Sequence, residues 1–220
     1  MPVPLESWYT DLPPVTRTYI TLIFATTLAC QLDLLSPLQL YFNWSLIVNN
    51  GETWRLLSSF LYFGPLSIDF LFHMFFLGRY SRMLEEGSFQ GRGADYLWMV
   101  VGIGMCGMVL LSPLLNARTT SLPFLSSPLT FMLVYVWSRR NPYIQLNFLG
   151  LFNFSAPYLP WVLLGFTVLL NNQFPAGDLL GMGVGHLYYF CEDVYPTLPG
   201  PGFGGRRPLA TPRLVTWAWK

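Results

Sequence analysis

Two histidines and two carboxylates stand out as side chains that could do chemistry within otherwise apolar segments. The histidines are His73 and His186. A serine or cysteine nucleophile needs a histidine within hydrogen-bonding reach, whereas either histidine could instead form a structural hydrogen bond between helices. Neither belongs to an HExxH or paired-histidine pattern. We therefore expect no metal and no cofactor.

The carboxylates are Asp69 and Asp178, each close to one end of an apolar segment. A charge at the centre of a bilayer costs about 2.5–3.5 kcal/mol on insertion scales, and this cost fades toward the interface. The sequence leaves two interpretations open for them: placement at the membrane interface, or a functional polar cavity.

Two short motifs indicate packing roles. Trp54-Arg55 precedes an apolar segment, where Trp anchors at headgroup depth and Arg binds carbonyls and lipid phosphates. Gly181 and Gly185 form a GxxxG pattern directly before His186. Small residues at this spacing let two helices approach backbone to backbone. Packing within the chain is the favoured interpretation, and the sequence leaves a homo- or hetero-oligomer open.

The elements that must position these residues are membrane helices. Hydrophobic residues make up 53% of the 220 residues and charged residues only 10%, against about 25% charged residues in a soluble domain. So few charges cannot coat a water-exposed surface, and the net charge of +1 argues against a nucleic-acid partner. Since a bilayer-spanning helix needs about 20 apolar residues, we predict spans at about 19–35, 66–84, 96–115, 122–138, 154–170 and 178–191.

The predicted fold is therefore an all-α membrane bundle of six transmembrane helices. The aromatic loop 36–64 between the first two spans suits a membrane-embedded position. Residues 1–195 form the predicted transmembrane domain, and 196–220 a flexible Pro- and Gly-rich tail. With a cytosolic N-terminus, all Lys and Arg except Arg55 and Arg118 fall on the cytosolic side. By the positive-inside rule both termini are then cytosolic.

Long, ordered stretches of the chain resemble the derlin family. They include 12–17 (LPPVTR), 36–43 (SPLQLYFN), 54–56 (WRL), 79–89 (RYSRMLEEGSF), 132–142 (MLVYVWSRRNP), 157–161 (PYLPW) and 181–186 (GMGVGH). Derlins resemble rhomboid proteases in fold, so the resemblance implies a rhomboid-like bundle with a membrane-embedded first loop.

The resemblance also allows a comparison with the protease site. At the spacing of the protease serine stands Ser126, without the flanking glycines. Asp178 occupies the position of the protease histidine, and His73 that of the oxyanion-side asparagine. A carboxylate is a poor substitute for an imidazole base near neutral pH, and His186 lies eight residues further along the helix, about 12 Å away. The resemblance implies no catalytic residue and no enzyme; an active intramembrane serine protease using Ser126 is the alternative.

The function that the resemblance implies is endoplasmic-reticulum-associated degradation. A derlin of the endoplasmic reticulum membrane assists the retrotranslocation of misfolded proteins to the cytosol, together with a membrane-embedded ubiquitin ligase complex and the valosin-containing AAA ATPase. Residues 203–209 (FGGRRPL) match the ATPase-binding motif of derlin tails only loosely. The sequence therefore does not predict direct contact with the ATPase through this tail.

The expected mechanism is passive. Short spans would thin the lipid bilayer locally, and a hydrophilic lateral cavity would shorten the apolar path for a crossing polypeptide. Candidate residues on this substrate path are Asp69, Asn171, Asn172 and Gln173. A solute transporter is disfavoured because the sequence has no inverted halves and almost no charge at mid-membrane depth.

Overall fold

The computed structural model describes residues 9–116, 122–148, 152–171, 174–198 and 208–219. These residues are mostly helical. In chain order the α-helices are α1 (Pro14–Gln31), α2 (Pro37–Leu40), α3 (Trp44–Asn50), α4 (Arg55–Ser58), α5 (Ile68–Met83), α6 (Gly93–Leu97), α7 (Cys106–Asn116), α8 (Ser126–Arg140), α9 (Leu159–Asn171), α10 (Ala176–Tyr189) and α11 (Arg213–Ala218).

Other turns extend several of these helices. π-Helical segments follow α5 (Leu84–Ser88), join α6 to α7 (Trp98–Met105) and continue α10 (Phe190–Val194). Short 3₁₀ turns precede α9 (Ala156–Tyr158) and lie at Tyr195–Thr197. Strands β1 (Gln145–Phe148) and β2 (Phe152–Ser155) form an antiparallel hairpin that pairs Gln145 with Ser155.

Each predicted span contains a helix in the structure: α1, α5, the continuous α6–α7 stretch, α8, α9 and α10. Among the described residues, one helix is long and apolar enough to cross a membrane. It covers Gly93–Pro113, with 21 residues and a mean hydropathy of 1.8. The apolar helix Ala156–Leu169 is shorter. The predicted order of helices is therefore found, and the count of six membrane crossings stays a prediction.

The loop between α1 and α5 folds into the short helices α2, α3 and α4. The hydroxyl of Ser36 caps α2 by accepting from the backbone N–H of Leu38, and Asn43 caps α3 by accepting from Ser45 and Leu46. Such side chains satisfy backbone donors that a helix start leaves unpaired. Gly51 ends α3 with a φ of 72°, a left-handed conformation that glycine adopts without strain.

Helix α8 lies at the centre of the bundle. Its residues 128–138 are all buried, and Trp137 is 2% exposed. The aromatic ring of Tyr80 from α5 packs against Trp137 with the ring centroids 4.8 Å apart. Because α5, α9 and α10 all contact α8, this helix fixes the position of the residues on its neighbours.

A buried carboxylate ties the start of α1 to the end of α5. Glu85, 5% exposed, accepts hydrogen bonds from the backbone N–H groups of Val15 (3.0 Å) and Thr16 (2.9 Å) and from the Thr16 hydroxyl (2.7 Å). The first turn of α1 thus receives its cap from a distant part of the chain. A negative group at this position also suits the positive end of the helix dipole.

The described part of the predicted tail contacts the bundle. The indole N–H of Trp98 donates to the carbonyl of Leu209 (3.1 Å), and the Thr211 hydroxyl donates to Asp95 (2.7 Å). Residues 199–207, which include most of the FGGRRPL stretch, lie outside the described residues. The division into a domain at 1–195 and a tail at 196–220 stays a prediction.

Candidate functional site

A cavity of about 420 Å³ lies between α5, α8, α9 and α10. Its lining brings together Asp69 and His73 from α5, Ser127 from the start of α8, and Asp178 from α10. Most of the remaining lining side chains are aromatic or aliphatic. A small polar group in an apolar wall is typical of a binding site.

The side chains of His73, Ser127 and Asp178, together with the backbone carbonyl of Asp69, form a continuous relay. His73 Nδ1 lies 2.9 Å from the carbonyl oxygen of Asp69 and 3.6 Å from its carboxylate. His73 Nε2 lies 3.3 Å from Ser127 Oγ, and that hydroxyl donates to Asp178 Oδ1 at 3.0 Å. The relay therefore joins α5, α8 and α10 across the cavity.

The directions of these bonds determine where the protons lie. A carbonyl oxygen only accepts, so His73 Nδ1 must carry a proton. The Ser127 hydroxyl proton goes to Asp178 Oδ1, so the Ser127 oxygen faces His73 Nε2 as an acceptor. The relay thus presents a polar path from α5 to α10.

The serine at the protease spacing does not belong to this relay. Ser126 is 1% exposed and donates its hydroxyl to the carbonyl of Tyr62 (2.6 Å). The serine that contacts a histidine is Ser127, which sequence comparison overlooked. Adjacent residues on a helix point about 100° apart, since a turn holds 3.6 residues. A search for every Ser near the start of this helix, rather than for one spacing, would have included Ser127.

His186 forms a separate contact at the opposite end of α10. Its Nδ1 lies 2.8 Å from the Tyr135 hydroxyl, which also accepts from Arg139 Nε (3.1 Å). The structure therefore does not bring His186 to the cavity, and this histidine links α8 to α10.

The glycines of the GxxxG pattern lie against the backbone of α8. A Cβ added at Gly181 would collide with the carbonyl oxygen of Pro128 and would lie 2.8 Å from its carbonyl carbon. A Cβ at Gly185 would lie 3.2 Å from the carbonyl oxygen of Met132. At Gly183 a Cβ would meet nothing within 4 Å. The pattern thus allows α10 to approach α8 closely, which brings Asp178 to Ser127.

Arg55 holds the loop that precedes α5. One guanidinium nitrogen donates to the carbonyls of Leu38 (2.9 Å) and Tyr41 (3.0 Å), and Nε pairs with Glu52 at 2.6 Å. The hydrogen bond from Arg55 lowers the pKa of the Glu52 carboxyl below its usual value. Trp54 is 57% exposed. In the Trp54-Arg55 motif the buried Arg55 guanidinium therefore holds the loop, and the Trp54 ring points outward.

The remaining predicted path residues are described only in part. Asp69 lies in the first turn of α5, and its side chain is 57% exposed. Asn171 is the last residue of α9. Its side chain, together with Asn172 and Gln173, lies outside what the structure describes. No group of three His, Cys, Asp or Glu side chains that could hold a metal occurs among the described residues.

Comparison with known proteins gives consistent matches along the chain. The profile of the Der1-like family matches residues 12–213. Derlin-2 of Oryza sativa subsp. japonica is 49% identical over 216 residues, which cover 96% of this chain and 84% of that protein. Derlin-2.2 of Arabidopsis thaliana is 49% identical over 96% of this chain and 86% of its own length. The probable derlin-2 homolog of Dictyostelium discoideum is 45% identical over 98% and 83%, respectively.

Proposed function

Because the chain belongs to the Der1-like family, we propose that it is a non-catalytic derlin of endoplasmic-reticulum-associated degradation. It assists the retrotranslocation of misfolded proteins across the endoplasmic reticulum membrane to the cytosol. In this proposal six helices span the membrane and both termini are cytosolic. Its partners are a membrane-embedded ubiquitin ligase complex, the valosin-containing AAA ATPase, lipid and other derlin copies.

The observation that carries the proposal is the polar relay within an apolar bundle. In the proposed orientation Asp69 and Asp178 stand at the lumenal ends of α5 and α10, and the cavity reaches into the bundle from there. A polypeptide that enters such a cavity finds hydrogen-bonding partners at a depth where lipid offers none. The cavity therefore shortens the apolar part of the crossing.

Short helices support the second part of the mechanism, local thinning of the bilayer. Helix α8 has 15 residues and α9 has 13. At 1.5 Å per residue they are about 22 Å and 20 Å long, whereas the hydrocarbon core is about 30 Å thick. A bilayer adapts to short helices by thinning. Cryo-electron microscopy of the chain in nanodiscs should show a thinner bilayer next to α8 and α9 than far from the protein; uniform thickness would refute this part.

The test of the function is complementation. In cells that lack their own derlins, the chain should restore rapid degradation of a misfolded membrane reporter. The Ser126→Ala variant should restore degradation of the reporter equally, since the Ser126 hydroxyl donates a hydrogen bond to the Tyr62 carbonyl. A reporter that stays long-lived in the presence of well-expressed chain would contradict the proposed function.

One observation favours a second candidate, an intramembrane serine hydrolase. Ser127 Oγ lies 3.3 Å from His73 Nε2, as a nucleophile lies next to its base in a catalytic triad, and His73 Nδ1 bonds to the backbone carbonyl of Asp69. Against this, Ser127 donates its hydroxyl to Asp178 rather than to the imidazole. A fluorophosphonate probe should leave the purified chain unlabelled. Labelling that Ser127→Ala abolishes and Ser126→Ala does not would establish the hydrolase instead.

A further inference from the structure

The cavity between α5, α8, α9 and α10 carries an excess of negative charge. Its lining includes the carboxylates of Asp69 and Asp178 and the imidazole of His73, and no Lys or Arg among the described residues lines it. Two acidic groups therefore face a single imidazole in this lining. In a low-dielectric surrounding, an uncompensated charge acts strongly on whatever enters.

Both carboxylates have capacity for a further donor. A carboxylate offers about four lone-pair positions. Asp178 accepts from the Ser127 hydroxyl through Oδ1 and has Thr167 as a further hydrogen-bonding neighbour, which still leaves lone-pair positions for another donor. The Asp69 side chain is 57% exposed next to His73. The two groups therefore present acceptors at two levels of the cavity, one buried on α10 and one nearer the opening on α5.

The aromatic side chains that line the cavity also favour a positively charged ligand. Phe63, Phe72, Phe124 and Phe166 all line the cavity. Aromatic faces attract cations within about 6 Å of the ring, and the attraction increases when the cation is desolvated. A cation with an apolar stem would bury the stem against these rings and direct its charged head toward Asp178 and Asp69.

Lysine and arginine side chains have this shape, an apolar stem with a charged head. They are also among the side chains whose presence in a membrane segment is costly unless they are paired. The cavity volume of about 420 Å³ lies within the usual range for sites that hold one small group, about 300–1,000 Å³.

We infer that this cavity binds a Lys or Arg side chain of a polypeptide segment lying in the membrane, with Asp178 and Asp69 as its counter-charges. The inference rests on the proposed function, since that function brings misfolded polypeptides to the cavity. It adds a substrate class: membrane segments that carry an unpaired basic residue.

The test uses the full chain in nanodiscs and a set of apolar transmembrane peptides. The peptides differ at one position in the lumenal third, which holds Lys, Arg, Gln, Leu or Glu. A fluorophore on the peptide reports binding. The Lys and Arg peptides should bind on the order of tenfold more tightly than the Gln peptide, as expected for a paired charge in a partly buried site. Equal affinities for all five peptides would overturn the inference.

Variants identify which groups select the charge. Asp178→Asn and Asp69→Asn should each remove most of the preference for Lys over Gln. The matched control is Asp33→Asn. Asp33 is an exposed aspartate outside the cavity with a φ of 56°, which Asn also tolerates. A preference for Lys that survives both cavity variants would contradict the assignment.

The inference remains testable if Asp178→Asn fails to fold, because Asp69 is mostly exposed and its variant should not disturb packing. A failure of this inference can also be distinguished from a failure of the proposed function. If the chain restores degradation of misfolded reporters but shows no preference for basic peptides, only the inference is wrong. If it restores no degradation at all, the proposed function is wrong regardless of peptide binding.

Discussion

The close approach of α10 to α8 leads to a quantitative prediction about two glycines that are two residues apart. Gly181→Ala adds a Cβ that collides with the carbonyl oxygen of Pro128 and lies 2.8 Å from its carbonyl carbon. The neighbouring atoms are backbone, so the clash cannot be relieved by a change of rotamer. Gly183→Ala adds a Cβ with nothing within 4 Å.

The magnitude follows from comparing the two variants. Each replaces glycine by alanine inside the same helix, which stabilises a helix by about 1 kcal/mol. This gain is common to both and cancels in their difference. What remains is the overpacking at Gly181, which costs about 1–3 kcal/mol in a well-packed core. Gly185→Ala, with a contact of 3.2 Å to the carbonyl oxygen of Met132, should fall between them.

The assay is the free energy of unfolding in detergent micelles, measured on purified variants under identical conditions. The expected order of stability is Gly183→Ala first, Gly185→Ala second and Gly181→Ala last. If Gly181→Ala and Gly183→Ala were equally stable, the close packing of α10 on α8 would be refuted, and with it the placement of Asp178 against Ser127.

Two further predictions concern buried polar groups on other helices. Glu85→Gln should lower the free energy of unfolding by about 1.5–3 kcal/mol, because the buried carboxylate accepts three hydrogen bonds at the start of α1. The control Glu86→Gln removes an exposed ion pair with Arg82 and should lower it by under about 1 kcal/mol. Equal losses for the two variants would contradict the capping role of Glu85. Arg55→Lys should speed proteolysis of the loop before α5, because an ammonium cannot reproduce the planar guanidinium that binds two carbonyls and Glu52. Arg82→Lys is the control. An unchanged cleavage rate for Arg55→Lys would refute the role of Arg55 in holding this loop.

The sequence predicted the family and the order of the helices well. Long apolar segments and the LPPVTR, RYSRMLEEGSF and GMGVGH stretches identified the derlin family, and the match over residues 12–213 confirms it. The helices lie at the predicted segments because apolar length is a local property of the chain. Whether all six helices cross a bilayer depends on the surrounding lipid as well as on the lengths of the helices.

The composition of the cavity could be predicted only in part. Asp178, His73 and Asp69 were each singled out as polar groups in apolar segments. Their grouping around Ser127 depends on the rotation of α5 and α8 about their own axes, which no motif encodes. Glu85 was missed entirely as a helix cap, because its partners on α1 are about 70 positions away and no local pattern links them.

Photocrosslinking tests the central claim most directly, namely that misfolded polypeptides pass through the cavity next to α5. A benzoylphenylalanine replaces Phe72, which lines the cavity and is 41% exposed, or Phe24, which lies on α1 away from the cavity lining and is 52% exposed. A misfolded reporter arrested during export should crosslink strongly at position 72 and only weakly at position 24. Equal crosslinking at the two positions, or crosslinking at position 24 alone, would contradict the account.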